Sequence, residues 1–227
     1  MPTLIQETSL TFTGAGPHSL AFASAGTNPS FYIVTLSMDE EAQTATCADN
    51  RNGSYTADVT VSGGSGAGSG RCYSFSVQNT SAAIATVTVT LSAASEGVLQ
   101  IYEFSGVATA SPLNTSNTGS GIGTSRSVSI TTTTNNCVVV AQGTLYPGVE
   151  ATADAGFTSA FGEVATGAAY HFGEYRADAG AAGGMTLTLG EIGSSDSWTM
   201  VVAAYKAAGG APVVSPLFYP RRVFFEV

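Results

Sequence analysis

The chain has 227 residues, 44% of them hydrophobic and only 10% charged, with a formal net charge of −9. That length can bury a substantial core, and the hydrophobic share excludes global disorder. With Lys206 as the single lysine, the acidic balance excludes nucleic-acid binding through a basic face, because phosphate contacts need clustered Lys and Arg.

The N-terminal stretch "MPTLIQETSLTFTGAG" lacks a basic segment followed by an apolar one, so no signal peptide is expected and the chain is expected to fold in a cytoplasm. No apolar run approaches the roughly 20 residues of a membrane helix, so no membrane partner is expected. "SFYIVTLSM" (30–38) is apolar on both faces and reads as a strand from the middle of a sandwich. The acidic run Asp39, Glu40 and Glu41, with Asp49 nearby, is either a solvated loop or a set of oxygen ligands for Ca²⁺, although it matches no EF-hand spacing. "NRNGS" (50–54) reads as a hairpin tip, since Asn-Gly tolerates a tight turn. In "SYTADVTV", alternation puts Tyr55, Ala57, Val59 and Val61 on one face.

"GGSGAGSG" (63–70) lacks the Lys-Ser/Thr of a phosphate loop and reads as a flexible connection. "AIATVTVTLS" (83–92) sets Ile84 against Val87, Val89 and Leu91 after a shift of phase that a bulge explains. "VLQIYEFSG" (98–106) is a second doubly apolar strand. Its Glu103 shares a face with Leu99 and Ile101, so it is either a buried acid catalyst or a carboxylate bound by turn amides near Ser105 and Gly106. "NTSNTGSGIG" (114–123), "TTNN" (133–136) and "GEIGSSDS" (190–197) read as turns. "RSVSITTTT", "NCVVVAQ", "MTLTLG" and "SWTMVVAAYK" read as strands. In the long 143–170 region, Tyr146, Phe157 and Phe161 either sit on an exposed loop or cover an open end of the sandwich.

His18 and His171 have no partner at metal-ligand spacing, and structural or solvated roles are expected for both. Cys47, Cys72 and Cys137 read as three small buried hydrophobes, or as a Cys47–Cys72 bridge with one left over. No G-x-S-x-G nucleophile motif occurs, and no metal, cofactor or enzymatic activity is expected. Ten or more short strands at this spacing mean an all-β, two-sheet antiparallel sandwich of jelly-roll type over residues 1–208.

From 209 to 227 the chain changes character. Pro212, Pro216 and Pro220 recur every fourth residue, so the segment is no helix or central strand, and an extended C-terminal arm is expected. Its residues Leu217, Phe218, Tyr219, Arg221, Arg222, Phe224 and Phe225 are the expected partner-binding set. Four aromatics at roughly 150–250 Å² each leave about 600–1,000 Å² of apolar surface to be covered, more than a monomer ordinarily exposes.

"YEFSGVATASPLNTS" (102–116), "SSDSWTMVVAAYKAA" (194–208) and "TCADNRNGSY" (46–55) together resemble a pattern found in bacteriophage virion-associated jelly-roll proteins. The resemblance spans most of residues 30–208. It implies a capsid decoration (cement) or head-fibre component, assembled in the host cytoplasm and carried on the virion. The implied partners are the major capsid protein or another virion protein, and copies of itself, with a trimer favoured. A lectin-like carbohydrate-binding module or adhesin, with a glycan as partner, is the alternative. The chain departs from the pattern after Lys206, where it continues into the aromatic arm, which a plain sugar-binding module does not need.

Overall fold

The computed structural model describes residues 1–40, 42–63, 70–124, 126–146, 152–166, 169–188 and 196–209. Among them the regular structure is entirely strand. The first half supplies β1 (Thr3–Gly14), β2 (His18–Ala21), β3 (Ser30–Met38), β4 (Ala45–Asp49), β5 (Gly53–Ser54), β6 (Thr56–Ser62), β7 (Arg71–Asn79), β8 (Thr86–Leu91) and β9 (Ser95–Ser105). The second half supplies β10 (Leu113–Gly123), β11 (Ser127–Thr131), β12 (Val138–Tyr146), β13 (Thr158–Thr166), β14 (Ala169–Arg176), β15 (Gly184–Thr188) and β16 (Asp196–Tyr205).

Each half builds one large sheet and one small one. The first large sheet has the order β1, β9, β3, β7, β6, and its small companion β2, β8, β4, β5. The second large sheet runs β10, β16, β12, β14, β13, with β11 and β15 as its companion. Neighbours are antiparallel throughout. The two orders are the same order. Strands β10 to β16 stand where β1, β2, β3, β6, β7, β8 and β9 stand, and the β4–β5 hairpin has no counterpart among the described residues.

The sandwich is thus layered: small sheet, large sheet, large sheet, small sheet. Tyr32, Val34, Leu36 and Met38 of β3 face Phe22, Cys47, Val87 and Val89 in the first core. The alternate side chains Phe31 and Ile33 join Tyr102, Phe104, Val138, Val140 and Tyr205 between the two large sheets. Val139, Ala141, Met200 and Val202 turn outward to Val128, Ile130 and Leu187. Both large sheets are therefore covered on both faces. That is the physical reason β3, β9, β12 and β16 are apolar at even and odd positions alike.

Several sequence expectations need correction. Residues 114–123 form β10 rather than a turn, paired to β16 from Leu113↔Tyr205 to Gly123↔Asp196. Pairing to an apolar neighbour outweighs the turn-forming composition, and the small residues have a use there. A Cβ on Gly119 would lie 2.6 Å from the Trp198 ring and 2.7 Å from Val128. The expected face of Tyr55, Ala57, Val59 and Val61 is broken by a bulge between Ala57 and Val59, which inserts Asp58. Conversely, the phase shift after Ile84 is a loop, since Ile84 is exposed and precedes β8. Much of the 143–170 region is strand: β12 runs to Tyr146 and Phe161 lies on β13. The turns at 50–54 and 133–136 are present, with positive φ at Gly53 and Asn136.

Residues 64–69 of the Gly-Ser stretch lie outside the described residues. The strands they join, β6 and β7, are paired right up to Ser62↔Arg71. Replacing 64–69 with a shorter Gly-Ser turn should change stability by less than about 1 kcal/mol, because closure entropy varies slowly with length. Gly70 must be kept, since a Cβ there runs into the Met38 carbonyl oxygen and the Thr144 side chain. Urea denaturation measures the effect; a loss of several kcal/mol means that the stretch packs against the sandwich.

Candidate functional site

The expected partner-binding residues, Leu217, Phe218, Tyr219, Arg221, Arg222, Phe224 and Phe225, lie outside the described residues, as does most of the 209–227 arm. The described residues end at Gly209, just beyond β16. Beyond β16 the chain pairs with the segment that joins the two halves. Lys206 N donates to Pro112 O at 2.8 Å, Ala108 N to Lys206 O at 2.9 Å and Ala208 N to Gly106 O at 2.7 Å, with a Val107–Ala207 bridge between them. Residues 206–208 are held there by backbone bonds.

A cleft of about 370 Å³ opens against this same joining segment. Its lining is apolar at Phe31, Val77, Pro112 and Leu113. It is polar at Thr56, at Asp58 from the β6 bulge, at Ser76 and Gln78 from β7, and at Thr109 and Ser111 from the joining segment. Asp58 Oδ2 accepts from the Tyr205 hydroxyl at 2.7 Å, and that hydroxyl also meets Ser74 Oγ at 2.9 Å. Burial pushes the Asp58 carboxyl above the usual carboxylate range, while hydrogen bonds from Ser76 and Tyr205 partly hold it down. Gln78 spends its amide on Ser30 O at 2.6 Å, and its Oε1 is buried with no hydrogen-bond partner among the described residues. Ser111 holds φ at +46°, a conformation that costs a non-glycine residue free energy. Thr56, Ser76, Thr109 and Ser111 bring hydroxyls that donate as well as accept, and Asp58 brings a carboxylate. Sequence reading missed it because its walls come from residues 31, 56–58, 76–78 and 109–113, which only the fold brings together.

Elsewhere the residues that suggested chemistry are tied up in structure. Glu103 is fully buried, as its place beside Leu99 and Ile101 suggested. It is bound at a different turn from the one expected: Thr27 N (2.6 Å) and Ser30 Oγ (2.7 Å) donate to Oε1, and Gln6 Nε2 (2.5 Å) to Oε2. Asp49 caps its own hairpin, accepting from Arg51 N at 2.6 Å, Asn52 Nδ2 at 2.9 Å and the Tyr55 hydroxyl at 2.7 Å. Asp39 is committed to His171 at 2.8 Å, so these two carboxylates share no cation site; Glu41 lies outside the described residues. His18 stacks on Phe12 with ring centroids 4.3 Å apart. The three cysteines are free and buried. Cys47 faces the first core while Cys72 points across the large sheet toward Thr199 O, so the Cys47–Cys72 bridge does not form. Burial pushes both thiols up, away from reactivity. Phe161 is 8% exposed and Phe157 packs against the outer core, so these two aromatics cover the sandwich.

One arrangement imitates a catalytic triad. His171 Nδ1 lies 2.8 Å from Ser37 Oγ and Nε2 lies 2.8 Å from Asp39 Oδ1. Ser37 and His171 are both fully buried between the large sheets, and Gln142 Nε2 donates to the same Ser37 Oγ at 2.6 Å. Gln142 also donates to Val98 O at 2.9 Å and accepts from Thr35 Oγ1. The serine has neither free access nor an open position for a substrate, so this seam joins the layers.

The fold is a layered β-sandwich with a mixed polar and apolar cleft against the segment that joins its two halves. Comparison with known protein families, with curated proteins and with solved structures gives no match for this chain.

Proposed function

We propose that this chain is a structural protein of a bacteriophage particle, a capsid decoration or head-fibre component of the jelly-roll kind, that uses its C-terminal arm to attach to the capsid lattice or to copies of itself. The observation that carries this reading is the use made of its polar interior. Glu103, Asp49, His171, Ser37 and Gln142 are each spent on fixing turns and layers. That use suits a protein that serves by rigidity and by presenting surfaces. The resemblance of most of residues 30–208 to virion-associated proteins suggests the particle, and a net charge of −9 suits it, since like charge keeps particles apart. Its partners are then the major capsid protein or another virion protein, and its home is the virion. A glycan-binding module is the second reading, favoured by the mixture of apolar and polar residues that lines the cleft.

Solution mass and negative-stain microscopy test the proposal. The full chain should form a closed oligomer, with a trimer favoured, and removal of residues 213–227 should leave a folded sandwich that no longer assembles or attaches. A monodisperse full-length monomer whose truncated form melts far lower overturns it, because the arm then belongs to its own core. Selective binding to a glycan array favours the second reading.

A further inference from the structure

We propose that the cleft binds a single phenolic ring, the group that Tyr175 supplies at the equivalent place in the other half of the sandwich, in a role separate from assembly.

The two halves match more closely than a shared strand order requires. Strands β1 and β10 carry a bulge at the same point of their pairing, between Leu4 and Gln6 and between Leu113 and Thr115. Strands β6 and β13 repeat the correspondence. Thr56 and Ala57 pair with Ser76 and Phe75, and a bulge follows at Asp58. Thr158 and Ser159 pair with Tyr175 and Glu174, and a bulge follows at Ala160. The central strands agree, since Ile33 lies between Ser76 and Tyr102, and Val140 between Tyr175 and Ala203. Position by position, Ser76 stands for Tyr175, Thr56 for Thr158, Asp58 for Ala160, Leu113 for Leu4 and Ala203 for Tyr102.

These differences leave a gap of definite shape. The Tyr175 ring meets Tyr102 and Phe104 edge-on, with centroids 5.6 and 6.2 Å away, and its hydroxyl is set beside the Thr158 side chain. Leu4 and Ala160 pack in the same cluster. At the equivalent place in the first half, Ser76 and Ala203 replace two of those rings, and the cleft opens there. Thr56, Asp58, Ser76 and Leu113 all line it, and they are the counterparts of Thr158, Ala160, Tyr175 and Leu4. Phe31, where the second half has Val138, adds an aromatic face. The volume of about 370 Å³ is at the low end of the roughly 300–1,000 Å³ of small-molecule sites, which suits one ring. Asp58 is already committed to Tyr205 and Ser76, so recognition falls to the apolar lining and to Thr56. A ring seated on Phe31, Val77 and Leu113 buries its faces, and its hydroxyl meets Thr56 as that of Tyr175 meets Thr158.

Titration of the full chain with p-cresol, followed by nuclear magnetic resonance, tests the site. Resonances of Thr56, Asp58, Gln78 and Thr109 should shift together, with a Kd on the order of 0.1–1 mM for so small a ligand. Toluene, which lacks the hydroxyl, should bind about fivefold more weakly. Thr56→Val, an exposed change, should bring p-cresol down to the affinity of toluene and leave toluene unaltered. Ser76→Tyr copies the second half and should fill the cleft from within, abolishing binding; if that variant does not fold, Thr56→Val carries the test.

N-acetyltyrosinamide separates two sources of the ring. It should bind more tightly than p-cresol if the natural occupant is a tyrosine of a partner protein, and more weakly if it is a free phenol. The inference falls if near-saturating p-cresol moves none of these resonances, if toluene binds equally well, or if Thr56→Val leaves p-cresol binding unchanged. Methyl glucoside shifting the same resonances where p-cresol does not assigns the cleft to a sugar and overturns it as well.

Discussion

Replacing Gln142 with leucine is expected to cost about 3–5 kcal/mol of stability and to lower the melting temperature by about 10 °C, at roughly 2–4 °C per kcal/mol for a chain of this size. The side chain is fully buried between the large sheets, where it bonds Ser37 Oγ, Val98 O and Thr35 Oγ1. Leucine fills much of the space and satisfies none of the three. The orphaned Val98 carbonyl and Thr35 hydroxyl then bear desolvation costs of about 1–3 kcal/mol each, and Ser37 keeps only its bond to His171. Thermal and urea unfolding read the effect together. A loss under about 1 kcal/mol means that the seam is incidental to layer stacking and that the apolar half around Phe31, Tyr102 and Tyr205 carries the join.

The second large effect depends on pH. Glu174 on β14 is buried, and burial, with the neighbouring Asp154 carboxylate as a smaller cause, pushes its carboxyl up to about 8, while the Asp154 amide at 2.8 Å pulls the other way. The folded chain therefore holds a proton at this site that the unfolded chain releases near the ordinary value of 4.5. Stability is fully present below about pH 4.5 and falls by about 1.4 kcal/mol per unit as pH rises toward 8, after which the site adds no further slope. Glu174→Gln keeps the acceptor for Asp154 N and carries no charge to bury, so it should stabilise the chain by several kcal/mol at pH 8–9 and hardly at all at pH 5. Burial also raises Glu7 and Asp58, and both add slope of the same sign to parent and variant alike. The difference between the two melting curves across pH 5, 6.5, 8 and 9 isolates Glu174. Parallel curves for parent and variant refute the assignment.

Both effects arise from contacts far apart in sequence, and this limits what the chain could disclose in one dimension. Ser37 and Gln142 are separated by 105 residues, and Ser37 and His171 by 134. No spacing rule pairs them, because a strand residue's partner depends on which sheet lands opposite. Only an unexplained polar residue inside an apolar strand, such as Gln142 in "NCVVVAQ", hints that something must satisfy it. The cleft is of the same kind: Asp58 enters it through a bulge, and alternation alone places that residue on the other face.

What the sequence determined by itself is the all-β class, the turns at Gly53 and Asn136 and the doubly covered strands β3, β9, β12 and β16. These follow from local rules: period-two alternation, turn chemistry, and the exclusion of unpaired polar groups from a strand with both faces buried. The tertiary structure decided the rest. It set a small sheet on each side of a central pair, repeated one strand order in both halves, made a strand of the glycine-rich 114–123, and opened a cleft beside the 109–113 segment. The physical reason is that sheet partners and facing layers are chosen by burial over the whole chain, and Gly119 beneath Trp198 belongs in a strand only because Trp198 lies above it.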